Sequence, residues 1–141
     1  MTTRLTTDGD NAGELFNESD HSAKQIIMEI RQALQQLLQS GEERVIDFNC
    51  IHCKHEDESL LKEFLGDGEV NATIRLCGTC CVWETSVHGV WWVVQKNDIG
   101  AIIAKALHIS FAPGILMAQH EDVEYSLYML ERKIKSLEIS I

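Results

Sequence analysis

The apolar pattern of this chain changes period at Gly66-Asp67-Gly68, and that change constrains the fold more than any other feature. Downstream, Val70, Ala72, Ile74 and Leu76 alternate with Asn71, Thr73 and Arg75. A period of two belongs to a strand buried on one side. "CGTC" then turns the chain, and "CVWETSV", "VWWVVQ" and "AIIAKALHISF" read as three further strands, separated by "HG" and "NDIG". Connections this short join antiparallel neighbours, so the four strands form a meander.

Upstream the period is helical. Ala23, Ile26, Ile27, Ile30, Ala33, Leu34, Leu37 and Leu38 recur at steps of three and four, with Ser22 placed to cap the start and Gly41 the end. "RVIDF" (44–48) reads as a short extended segment. "HEDESLLKEFLG" reads as a short helix with acids in its first turn and an apolar face of Leu60, Leu61, Phe64 and Leu65. Pro113 is placed just inside a last helix, whose seam is Leu116, Val123, Leu127, Leu130, Ile134 and Leu137. Packing on the sheet is the more economical use of so short a seam. The predicted class is α+β: a four-stranded antiparallel meander with helices mainly on one face. Residues 1–20 are polar and aperiodic and read as a flexible arm. Residues 21–141 read as a single domain that opens with the long amphipathic helix.

Charge narrows the partners. The chain has 12 Lys+Arg against 22 Asp+Glu, a net of −10, which repels nucleic acid and anionic lipid and suits a basic protein segment. Solubility alone accounts for the same excess. No apolar run nears the roughly 20 residues of a membrane span, and the first residues lack the pattern of a secretory leader. A cytoplasmic address is the expectation, with reduced cysteines.

Those cysteines form C-x2-C-x23-C-x2-C through Cys50, Cys53, Cys77 and Cys80, with Cys81 adjacent and His52 and His55 as alternative ligands. Two such knuckles can converge four thiolates on zinc or an iron–sulfur centre. Burial as small hydrophobes is the competing reading, at even odds. "CIHC" between a strand and a helix also has the order of a thiol oxidoreductase, but the only proline does not sit beside it. The six histidines form no metalloprotease or triad pattern, and Glu69 and Glu84 on neighbouring strands are better explained by a solvated sheet face. Nothing assembles an enzyme.

Trp83, Trp91 and Trp92 remain. Neighbours on a strand face opposite ways, so one of Trp91 and Trp92 leaves the core face, which suggests an aromatic binding surface.

Three segments, "LLKEFLGDGEVNATI", "ETSVHGVWWV" and "FAPGILMAQHEDVEYSLYML", together resemble the C-terminal region of hydrogenase expression/formation proteins of the HupH/HyaF type. The residues that carry the resemblance are Leu65, Gly66, Gly68, Glu69 and Val70, then Glu84, Thr85, Gly89, Val90, Trp91, Trp92 and Val93, then Pro113. It spans residues 45 to 138 and leaves the paired cysteines outside its motifs. The resemblance implies a cytosolic, non-enzymatic chaperone in [NiFe] hydrogenase maturation. Its client would be the iron–sulfur small subunit or its precursor, and a homodimer would be a further association. The expected contact residues are Trp91, Trp92, Trp83, Glu84, Gly89 and Glu69. The alternative is a metal-binding module built on Cys50, Cys53, Cys77 and Cys80.

Overall fold

The computed structural model describes residues 21–140; the arm expected over 1–20 lies outside them. The chain divides into two compact units, one ending at Phe111 and one beginning at Ala112.

The first unit opens with α1 (Ala23–Ser40). Ser22 and Gln25 form a reciprocal capping box: the Gln25 amide donates to Ser22 Oγ at 3.2 Å and the Ser22 amide to Gln25 Oε1 at 2.9 Å. The helix buries Ala23, Ile26, Ile30, Ala33 and Leu37 and ends at Gly41, whose amide donates to the Leu37 carbonyl. Next come β1 (Arg44–Asp47), α2 (His55–Leu65), β2 (Asn71–Arg75), β3 (Thr79–Glu84), β4 (Val90–Lys96) and β5 (Ile102–Ile109).

The sheet has five strands, ordered β1-β5-β4-β3-β2 and antiparallel throughout. The expected meander is β2 to β5. The fifth strand is the segment "RVIDF": Arg44–Asp47 pairs with Ile109–Ala106, which buries Ile46 against the core. Partners about sixty residues apart leave no local trace of this pairing, and four residues are too few to show an alternation. A bulge at Gln95/Lys96 shifts the register between β4 and β5.

One face of the sheet carries the main core. Ile46, Val90, Trp92, Leu107 and Ile109 pack with Ile26, Ile30, Ala33 and Leu37 of α1 and Leu61 and Leu65 of α2. Five consecutive residues of β4, Val90 to Val94, are buried, so both faces of this central strand are covered. The expected apolar face of α2 is cut in half: Leu61 and Leu65 are buried, whereas Leu60 and Phe64 are exposed. Two adjacent pairs four residues apart span too wide an arc for a helix that meets the core along one stripe.

The second unit holds a 3-10 turn (Gly114–Leu116) and α3 (His120–Ser140). Pro113 precedes the turn rather than starting the long helix, because Met117 is extended (φ −101°, ψ 135°) and interrupts helical backbone before His120. Leu116 therefore lies outside the helical seam. No helix among the described residues is long and apolar enough to cross a membrane.

Candidate functional site

The motif residues meet where the α2–β2 connection crosses the β3–β4 turn. The Gly68 amide donates to the Glu84 carbonyl at 2.8 Å, and the Glu84 amide donates to the Val70 carbonyl at 3.0 Å. The Ser86 amide and hydroxyl both donate to the Leu65 carbonyl at the end of α2. Backbone approaches backbone so closely that a Cβ on Gly68 would stand 2.5 Å from the Thr85 carbonyl oxygen. Only glycine fits there.

The turn itself is held from inside. Fully buried Thr85 donates its hydroxyl to the Val90 carbonyl at 2.9 Å and accepts the Val87 amide at 3.1 Å. Glu84 Oε2 accepts the Gly89 amide at 3.2 Å and lies 3.5 Å from His88 Nδ1. Gly89 has φ +92°, a backbone shape that L side chains rarely adopt. These glycines and acids form a clasp between α2 and the central strands.

Both adjacent indoles lie inside the protein, on opposite sheet faces. Trp92, 1% exposed, belongs to the core with α1 and α2. Trp91, 5% exposed, donates from Nε1 to the Ser110 carbonyl at 3.0 Å. The Ser110 hydroxyl in turn donates to Glu43 Oε2 at 2.8 Å. The expectation that one of the pair is presented to a partner is therefore corrected: the second face of β4 is also covered, and the indole N–H is satisfied internally.

Trp83 is the half-buried indole. It stacks on Trp92 at 6.4 Å, and Phe48 and the Lys62 ammonium lie 5.5 Å and 5.7 Å from the Trp92 ring. Its register partner on the edge strand is Asn71, preceded by exposed Glu69 and Val70. Exposed Leu60 and Phe64 lie on α2, the helix that sends Lys62 over this column. Sequence periodicity assigns both to the core. The warning signal was the doubled pairs, which one helix stripe cannot bury.

The four cysteines do not converge. Cys50 and Cys53 follow the edge strand β1, while Cys77 lies in the β2–β3 hairpin and Cys80 on β3. In the sheet order, β1 stands three strand spacings from β3, about 14 Å. Among the described residues no group of three or more His, Cys, Asp or Glu side chains is placed to hold a metal ion, His52 and His55 included. Cys80 is buried and Cys77 exposed.

The setting of Cys50 and Cys53 also disfavours the thiolate. Asp47 beside Cys50, by charge and by hydrogen bond, pushes that thiol up from its ordinary value. Burial, with Glu58 and Asp57 adding, pushes Cys53 up. Burial opposes ionisation of Glu58, but its ion pair with Lys105 outweighs this and holds the carboxyl below its ordinary value. "CIHC" thus precedes a helix in an acidic setting, the reverse of what activates a thiol.

Comparison with known proteins identifies the family. The C-terminal conserved region of the HupH hydrogenase expression protein matches residues 21–137. The hydrogenase expression/formation protein HupQ of Azotobacter chroococcum mcd 1 is 28% identical over 119 residues, covering 83% of this chain and 42% of its own length. HupH of Rhizobium leguminosarum bv. viciae is 36% identical over 78 residues, covering 55% of this chain and 28% of its own. The chain thus spans less than half the length of the curated relatives it matches. The solved hydrogenase expression protein HupH from Thiobacillus denitrificans ATCC 25259 superposes with a TM-score of 0.77 at 29% identity, over 81% of this chain and 95% of that one. From its sequence, its clasp and its fold, this chain belongs to the HupH hydrogenase expression protein family, through the C-terminal conserved region.

Proposed function

We propose that this chain acts in [NiFe] hydrogenase maturation as a cytoplasmic accessory protein, not an enzyme, that binds the iron–sulfur small subunit or its precursor before export. The observation that carries the reading is the family match over residues 21–137. The relatives' names, hydrogenase expression/formation proteins, supply its direction.

Within this reading the predicted contact residues divide by role. Trp83 and Glu69 reach the surface and meet the client, joined by Leu60, Phe64 and Val70. Glu84, Gly89, Trp91 and Trp92 hold the clasp and the sheet that present them. A half-buried tryptophan whose edge-strand neighbour follows exposed Val70 has the composition of a binding hot spot. The net charge of −10 favours a basic client segment, such as the twin-arginine signal of a small-subunit precursor.

The test is genetic. In cells that make the hydrogenase, deletion of the gene lowers hydrogenase activity and leaves small-subunit precursor unprocessed. The wild-type chain restores both, and Trp83→Ala or Phe64→Ser restores them poorly at equal protein level. Full activity and normal processing in the deletion strain would exclude the reading.

A further inference from the structure

We infer that α3 is a dimerisation element, pairing in parallel with α3 of a second copy of this chain. The surface is the helix seam. Val123, Leu127, Leu130, Ile134 and Leu137 follow steps of four, three, four and three, the a/d pattern of a heptad. In the structure they are 55%, 56%, 54%, 46% and 63% exposed. A helix that spends five aliphatic side chains on one stripe and leaves each about half exposed has an unused apolar face.

The outer side of the helix is knit by its own side chains. Tyr125 and Tyr128 lie 6.5 Å apart, and the Arg132 guanidinium sits 5.8 Å from the Tyr128 ring. In the heptad frame these are outer positions, so the aromatic contacts run along the back of the helix and leave the seam clear.

The charges flanking the seam select the occupant and its direction. With Leu127 and Ile134 at a and Val123, Leu130 and Leu137 at d, the e positions are Glu124, Glu131 and Glu138, and the g positions include Ser126 and Lys133. An antiparallel pair sets e against e, which brings glutamates together along the whole seam. A parallel pair sets g against the e of the partner's next heptad, so Lys133 meets the partner's Glu138 on each side of the dimer. The helix is complementary to a parallel copy of itself. This inference is independent of the hydrogenase reading and can fail or succeed without it.

The experiment is sedimentation equilibrium of the full chain at low ionic strength across a concentration series. The expected result is a dimer, twice the 15.9 kDa chain mass, dissociating on dilution. A monomer up to the highest concentration would overturn the inference. Leu130→Glu/Ile134→Glu is expected to be monomeric with an unchanged sheet signal in circular dichroism; a persistent dimer would place the interface elsewhere. Lys133→Glu is expected to raise the dissociation constant about three- to tenfold, as exposed ion pairs do. Lys133→Glu/Glu138→Lys, which restores opposite charges across the parallel seam, is expected to recover it. A double variant as weak as the single would refute the parallel arrangement.

Discussion

Gly68 is where a single atom decides the local structure. A Cβ there meets the Thr85 carbonyl oxygen at 2.5 Å, and neither backbone can yield without opening the clasp. Gly68→Ala is expected to cost about 1–3 kcal/mol in denaturant unfolding. Gly114→Ala, with nothing within 4 Å of the added atom, is expected to change stability by less than about 0.5 kcal/mol. Equal effects would remove the close approach as the reason for this glycine. The cysteines make a second prediction at this scale. Asp47, by charge and hydrogen bond, raises the Cys50 thiol above its ordinary value, so Asp47→Asn is expected to speed alkylation of Cys50 at neutral pH; an unchanged rate would mean that the carboxylate does not govern the thiol. The glycines and acids of the clasp were legible as a motif, and their reason was not. A spacing such as L-G-x-G-E-V says that a backbone is constrained but not which other backbone it touches. The cysteine spacing misled for the same reason, since pattern cannot measure distance across a sheet.

At the scale of elements, periodicity located α1, α2 and strands β2 to β5, because each has enough residues to repeat. It could not place β1, whose four residues pair with β5 across the length of the unit. It also could not orient α2, because apolar residues fill twice the arc that the core accepts. The orientation has an energetic signature. Leu61→Ala is expected to cost about 2–5 kcal/mol, whereas Phe64→Ser is expected to stay within about 0.5 kcal/mol; a large loss from Phe64→Ser would show that this ring is buried. The β1–β5 pairing has its own handle in His108, the partner of Val45 and Trp91. Burial lowers its pKa from 6.5, and the nearby Glu43 and Asp47 carboxylates offset this only in part. A folded-state pKa below the unfolded one means that the unfolded chain binds the proton more readily. The stabilisation is present above pH 6.5 and is lost as pH falls below it. The melting temperature is therefore expected to fall from about pH 7 to about pH 5, and less steeply in His108→Gln. Identical slopes would take His108 out of this region's acid response.

For the whole molecule, charge and surface point the same way. A net charge of −10, a fold shared with a solved hydrogenase expression protein, and half-buried Trp83 beside an edge strand preceded by exposed Glu69 and Val70 are the supports of the proposed client-binding role. Hydrophobic periodicity gave the fold class, and the motif order gave the family. The surface proposed to meet the client was not legible, because it depends on which apolar side chains the core leaves unused. Trp91 and Trp92 looked available and are spent on the two faces of β4; Leu60 and Phe64 looked buried and are free. The most direct measurement is a calorimetric titration of the small-subunit precursor into the purified chain at low and high salt. The account predicts saturable binding that weakens with salt and rises at least about tenfold in Kd with Trp83→Ala. No binding, or binding indifferent to both salt and Trp83, would contradict it.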